Sequence, residues 1–321
     1  MPRISTALTW ADRLGSWKVR WGMGRLRYIV PPGLYAIGKP GPDSPVLVTA
    51  NYKMTYDHVR SVLGGRDCWL LIMETYGINV WCAAGKGTFG TEELIRRINV
   101  SGLAAVVDHR RLILPILGAV GVAAHRVKEL TGFNIRYAAL RARDIPGYLD
   151  NGSMTTAAMR EITFTTRERV VLIPVELAAA LCPTAIVTAV MFLVLAALQD
   201  SSTGLIAVYG YLGAVLAGTA VVPLFLPWLP GRSFAFKGVL TGVVWTIVFF
   251  VTAGGSGWSP LITGAAFLTF PAISAFYALN FTGCTPFTSR SGVRKEMRIA
   301  LPLMACALLA AICVALTGTI L

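Results

Sequence analysis

Histidine and acid are scarce in this chain: three His and 16 Asp plus Glu among 321 residues. None of the six cysteines (Cys68, Cys82, Cys182, Cys284, Cys306, Cys313) falls in a C-x-x-C pair, and no His or Cys lies near another at zinc-ligand spacing, which excludes a metal centre of the zinc-finger kind. A cytosol-facing domain would also hold these thiols reduced, so structural disulfides are not expected. Charge of either sign almost disappears beyond residue 169. Val170 onward holds six basic residues (Arg232, Lys237, Arg290, Arg294, Lys295, Arg298) and three acidic ones (Glu176, Asp200, Glu296), leaving 23 and 13 before it. No secretory signal is expected, since MPRISTALTW runs into charged and aromatic residues and not into an apolar core. Repeats and RNA-binding signatures are lacking too. The net charge of +13 therefore reads as membrane topology plus attraction to anionic membrane lipid, with no nucleic acid as partner.

What is present is apolar: 55% hydrophobic residues and a mean hydropathy of +0.63, too high for an ordinary soluble protein. A bilayer core roughly 30 Å thick takes about 20 apolar residues to cross. The second half supplies five such runs, 170–198, 204–229, 238–254, 259–281 and 299–320. Every basic residue among them lies on the side shared with the N-terminal half, which the positive-inside rule places in the cytoplasm. The expected organisation is an N-terminal arm (1–45), a cytoplasmic domain (46–169) and an all-α transmembrane domain of five helices (170–321) in the inner, cytoplasmic membrane. Only Glu176 is expected to be embedded, near the cytoplasmic end of the first span.

The cytoplasmic half alternates strand and helix. VLVTANY (46–52), CWLLIMET (68–75), AAVVDH, RLILPIL (111–117) and NIRYAAL (134–140) read as strands. MTYDHVRSVLGG, TEELIRRI (91–98), GVAAHRVKELTG and ARDIPGYLDNG read as helices between them. The pattern predicts an α/β domain with a parallel sheet covered on both faces, with ligands at the carboxyl ends of the strands. In the arm, Trp10, Leu14, Trp17 and Trp21 share one helical face beside Arg13, Lys18 and Arg20. That face either lies on the membrane surface or packs its tryptophans onto its own domain.

The segment NVWCAAGKGTFG (79–90) admits three readings. Its GKGTFG matches the dinucleotide fingerprint, with Asp108 near the usual spacing, which would make the chain a nucleotide-dependent membrane oxidoreductase. Yet nine residues separate it from the preceding strand, and Lys86 is followed by glycine, unlike a Walker loop. The segment also reads as a buried turn with an inert thiol, in a membrane anchor or permease-like protein whose soluble half only senses a ligand. Third, Asn79 is a favoured N-cap. Val80, Trp81 and Cys82 then open a helix ended by Gly85, and Cys82 sits where unpaired N–H groups and the Lys86 charge favour a soft anionic ligand atom. Ala83 and Ala84 are small enough to let a flat partner approach. One sulfur cannot hold a bare metal ion, whereas a metal already held by a macrocycle, heme or corrinoid, needs only one protein ligand.

NVWCAAGK at 79–86 resembles the cap-helix motif N-V/I-W-C-A-A-G-K of the mercury-methylating corrinoid (HgcA) family. VLVTANYKMTYDHVR, GTFGTEELIRR, LGAVGVAAHRV, NFTG and SGVRKEM resemble its flanking stretches, so the likeness covers essentially the whole chain. Ile116 departs from the family's P-Q-L-G run, and the D-x-H-x-x-G signature of histidine-ligated cobalamin proteins is absent. The resemblance implies a Rossmann-like corrinoid-binding domain, akin to that of corrinoid iron–sulfur methyl carriers, holding a cobalt corrinoid of cobalamin type. It implies Cys82 as the lower axial cobalt ligand and catalytic residue, within a cofactor-binding cap of Asn79, Val80, Trp81, Cys82, Ala83, Ala84, Gly85 and Lys86. Thr49 and Thr55, after the first strand, would hydrogen-bond the corrinoid or its tail, and Ala142 would let the tail pack close. The implied reaction moves a methyl group to Hg(II), an electrophile, with its bonding electrons or as a radical. The implied partners are the small ferredoxin HgcB with two 4Fe–4S clusters and a methyl donor from a folate-linked pathway. Trp81 is expected to anchor the cap by packing, and Cys284, in a loop, is a candidate for handling thiophilic Hg(II).

Overall fold

The computed structural model describes residues 1–320, apart from the side chains of Gly283, Cys284, Arg290, Thr319 and Ile320. The chain forms two compact units, Met1–Thr163 and Phe164–Leu321.

The first unit is built on a six-stranded sheet of β1 (Arg3–Ile4), β2 (Gly33–Ile37), β3 (Val46–Ala50), β4 (Cys68–Met73), β5 (Arg111–Leu114) and β6 (Asn134–Tyr137), in the order β1-β2-β4-β3-β5-β6. Strands β4, β3, β5 and β6 run parallel, but β2 pairs antiparallel with β4, so the sheet is mixed and not wholly parallel as expected. The arm supplies two of its strands. GLYAI is a strand hidden in the sequence by its Pro–Pro and Gly–Lys–Pro flanks. AAVVDH is not a strand: Gly102, at φ 62°, ends the preceding helix, and Leu103–Ala105 makes a single 3₁₀ turn.

Helices cover both faces. Helix α1 is Trp10–Arg20, α2 Lys53–Ser61, α3 Val80–Lys86, α4 Thr91–Val100, α5 Ala124–Thr131 and α6 Ile145–Asp150. Val46, Val48 and Ala50 point to the face where α3, α4 and α5 bury Val80, Ala83, Leu94, Ile98 and Val127. Leu47 points to the other, where α2 and α6 bury Tyr56, Val59 and Tyr148. Strand alternation assigns each residue its side. The winding reverses beside β3, so the switch point, where ligands of open α/β sheets bind, falls at the carboxyl ends of β3 and β5. On α1, Trp10 (79%), Leu14 (55%) and Trp17 (57%) are exposed while Val19 is buried, so the aromatic face is not packed onto its own unit.

The second unit adds, after the short α7 (Ala157–Arg160) of the first, α8 (Thr166–Val170), α9 (Ile173–Leu198), α10 (Ser201–Leu216), α11 (Val222–Phe225), α12 (Phe234–Thr252), α13 (Pro260–Asn280) and α14 (Arg290–Ile320). Five stretches are long and apolar enough to cross a membrane: Thr166–Leu198, Ser201–Phe225, Phe234–Thr252, Pro260–Asn280 and Ser291–Gly318. A π-helical segment, Ala217–Val221, joins α10 to α11 just before Pro223. Gly238 and Gly242, one turn apart on α12, lie flush against Ala275 and Pro271 of α13, the small-residue packing that lets apolar helices approach closely. Glu176 is half-buried, but charge is not confined to it. Lys237 lies inside α12 and is buried, and Arg169 in α8 is buried as well.

Candidate functional site

The carboxyl edge of the sheet is held by one buried side chain. Asn51, just past β3, accepts at Oδ1 from the Thr75 N–H (3.1 Å), the Thr75 hydroxyl (2.8 Å) and the Gly77 N–H (3.3 Å), and its Nδ2 donates to Glu74 Oε1 at 2.6 Å. The loop after β4 is thereby fixed at its base. Tyr76 and Gly77 both adopt positive φ there, 55° and 71°, a strained conformation for tyrosine that the Asn51 and Glu74 bonds sustain. Glu93, in the first turn of α4, accepts the Glu74 N–H at 2.9 Å and pairs with Arg96 and Arg97. Burial opposes its charge, but the Glu74 N–H and the two guanidinium groups outweigh it and hold the carboxyl below its usual range.

This loop launches α3. Asn79 is its N-cap, and Asn79 Oδ1 accepts the Cys82 N–H at 2.9 Å. The helix runs past Gly85 to Lys86 and ends at Gly87, whose φ of 82° closes it, so the stop lies two residues beyond the expected one. The helix carries on through Gly85 because Gly87 takes the left-handed cap. Cys82, Gly85 and Lys86 are exposed, and a Cβ added at Gly85 would meet no atom within 4 Å. Trp81 is 44% exposed and shares this open face; it is not a packing anchor. Val80, Ala83 and Ala84 turn inward. Both alanines are buried, so they do not face the open side; the turn after β5 packs closely on the backbone here, since a Cβ on Gly121 would lie 3.0 Å from the Ala84 Cα.

Thr49 and Thr55 stand on the sheet face opposite the cap. Thr49 is buried and its hydroxyl has no hydrogen-bond partner among the described residues. Thr55 is half-buried on α2, and Ala142 packs at the edge of the same cluster as the buried Ala138 and Ala139. The other cysteine of this unit, Cys68, is buried and belongs to this cluster; burial, reinforced by neighbouring Asp67, pushes its thiol up to about 12. Of the residues singled out in the sequence, the structure gathers Asn79 through Lys86 at the carboxyl edge and sets Thr49, Thr55 and Ala142 beyond the sheet. Sequence reading missed Asn51, Glu74, Thr75 and Glu93, whose signal, polar residues clustered directly after two consecutive strands, was there to be found.

The GKGTFG glycines do not form a strand-to-helix phosphate turn. Gly85 lies inside α3, Gly87 caps it, and Gly90 is the N-cap of α4. His109 is tied to the Ser44 carbonyl (2.9 Å) and the Arg111 N–H, and His125 is exposed. No cluster of three or more His, Cys, Asp or Glu able to hold a metal occurs among the described residues. The Cys284 side chain lies outside them.

Residues 25–149 match the family model of the CO dehydrogenase/acetyl-CoA synthase delta subunit. The same region is similar to gamma subunits of the acetyl-CoA decarbonylase/synthase complex. The chain is 34% identical to that of Methanopyrus kandleri over 123 residues, covering 38% of this chain and 26% of the relative. For the Archaeoglobus fulgidus subunit the figures are 35% over 123 residues with the same coverage, and for Methanosarcina mazei 40% over 90 residues, covering 27% and 19%. The chain thus spans about a quarter of the length of these relatives, and the matched family region stops short of the apolar helices.

Proposed function

We propose that residues 1–163 bind a cobalt corrinoid whose metal Cys82 would ligate, and that the chain serves methyl transfer from that cofactor to Hg(II). The observation that carries this reading is the exposed Cys82 sulfur on a capped helix at the carboxyl edge of the sheet, inside NVWCAAGK. The match of residues 25–149 to subunits of acetyl-CoA decarbonylase/synthase supports a corrinoid methyl-transfer domain over the same stretch. The residues of the cap fit such a group: one unshielded soft ligand and open space at Gly85, while the unpartnered Thr49 hydroxyl lies buried on the opposite face of the sheet.

A bound corrinoid supplies a transferable methyl group on cobalt. The chain's own residues do the rest. Asn79 fixes the Cys82 backbone and Asn51 and Glu93 hold the loop beneath it, so the sulfur is presented with little freedom to lose on binding. A soft, strongly donating thiolate suits transfer to a soft electrophile such as Hg(II). Thr49, with Thr55 nearby, offers hydrogen bonds to the cofactor's polar periphery or tail, and Ala142 leaves room for it. Lys86 adds positive charge beside the sulfur. The five apolar helices anchor the domain at the cytoplasmic face of the inner membrane, within reach of a reducing ferredoxin such as HgcB and of a folate-linked methyl donor.

The test is anaerobic reconstitution of the full chain with cobalamin, read by absorbance. Wild type is expected to show a thiolate-ligated spectrum that Cys82→Ala lacks; an unchanged spectrum in the variant removes the proposal. A methylmercury assay with HgcB then tests the acceptor separately. Intact ligation without methylmercury would leave the corrinoid reading and discard mercury.

A further inference from the structure

Two cations are buried in the second unit: Lys237, which no carboxylate offsets among the described residues, and Arg169, which has the favourable charge of neighbouring Glu168. Lys237 Nζ donates to the Leu226 carbonyl at 2.5 Å, using one of an ammonium's three N–H bonds. Arg169 donates to the Phe164 and Leu224 carbonyls and the Thr166 hydroxyl, stacks over Trp228 at 5.4 Å, and leaves its Nε without a partner. Capping the end of α11 explains one bond of each. It does not explain the uncompensated Lys237 ammonium at the edge of an apolar helix bundle, where burying an unpaired cation is costly.

Lys237 lines a cavity of about 650 Å³ walled by Trp228, Phe234 and the exposed Arg232. Arg232 and Phe287 also line an adjoining groove of about 1060 Å³ between α12, α13 and α14. The mouth of that groove carries Lys295, and its length is apolar, with Phe267, Leu268 and Leu303. Neither Arg232 nor Lys295 has an ion-pair partner among the described residues. The carboxylate in the groove lining, Glu296, accepts from the Ser233 hydroxyl and the Ala235 N–H through Oε1, so it is committed to the start of α12. A cationic mouth opening into a long apolar trough has the chemistry of one kind of ligand.

We propose that this is a specific site for an anionic glycerophospholipid. Arg232 and Lys237 hold the phosphate, Lys295 meets the rest of the charged headgroup, and an acyl chain lies along Phe267, Leu268 and Leu303. The proposal rests on the five helices being membrane spans. A chain that stays monodisperse without detergent would refute that reading, independently of any lipid result.

The experiment uses the full chain in neutral detergent, titrated with phosphatidylglycerol, phosphatidylcholine or inorganic phosphate, with bound lipid counted by native mass spectrometry and unfolding followed thermally. Phosphatidylglycerol is expected to remain bound and to raise the unfolding midpoint, at least tenfold more tightly than phosphatidylcholine. Arg232→Gln with Lys295→Gln, both at exposed positions, should erase that preference while the lipid-free midpoint stays put; Lys237→Gln should do the same if it folds. Equal binding of the two lipids, an unchanged preference in the Arg232/Lys295 variant, or full stabilisation by phosphate alone would each overturn the proposal.

Discussion

Asn51 and Thr75 sit at the ends of neighbouring parallel strands and are joined twice, the Asn51 Oδ1 taking both the backbone N–H and the hydroxyl of Thr75. Both residues are fully buried. This pair locks the exit of β3 to the exit of β4, and everything beyond Thr75, including the helix that carries Cys82, is positioned from it.

Asn51→Leu removes these bonds and strands the Thr75 and Gly77 donors in an apolar setting. Unsatisfied buried groups of this kind cost about 2–3 kcal/mol in all. The expected outcome is a lower unfolding midpoint together with weakened corrinoid binding, measured by thermal scanning and by cobalamin titration.

Cys82→Ala is expected to leave the unfolding midpoint unchanged, because the side chain is exposed and contributes no core contact. Methyl transfer should fall by at least about a hundredfold, beyond the roughly 10–100-fold that losing a partner behind a metal ligand costs. A variant that also unfolds early would show that the sulfur has a structural duty instead.

Thiol alkylation of the native chain, mapped by mass spectrometry, should modify Cys82 and spare Cys68, whose burial and raised pKa of about 12 keep it a thiol at neutral pH. Denaturant should expose Cys68 to the reagent. Added cobalamin should protect Cys82 and no other site, a readout that needs no turnover.

The Glu93 carboxyl titrates below its usual value in the folded chain, so its contribution is fully present above about pH 4.5 and is lost as pH falls below that. Amide protection at Glu74 should therefore drop on acidification in wild type, after correction for intrinsic exchange. In Glu93→Gln it should be lower at neutral pH and nearly flat across the same range.

Gly242→Leu places a side chain where a Cβ alone would sit 2.5 Å from the Pro271 Cα. Backbone cannot yield as a flexible side chain does, so α12 and α13 must separate. The expected result is loss of the second unit's folded form, seen as aggregation in detergent, while Gly264→Ala, at a position with open space, behaves as wild type.

Much of this arrangement was legible in residue order because it depends on neighbours along the chain. The capping of α3 by Asn79 needs three consecutive peptide units, the five apolar stretches need only their own composition, and β3, β4, β5 and β6 announce themselves as short β-rich runs between helical patterns. β2 was not legible: five residues between proline-rich flanks carry no periodic signal, and their strand state exists only because β4 offers an open edge to pair with. The same holds for Lys237, just outside the expected span 238–254 yet drawn into α12 because Ser233 caps the helix at Phe236 and the Leu226 carbonyl receives its ammonium.

Sequence alone determined that a cysteine would stand in the first turn of a short capped helix, and that half the chain would be apolar helices. Tertiary structure decided which way that helix faces: Gly121 pressing on Ala84 and the Asn51–Thr75 clamp turn the alanines inward and leave Cys82 outward. Capping is a matter of adjacent dihedrals, whereas facing is set by contacts between residues more than 20 positions apart, which no local pattern encodes.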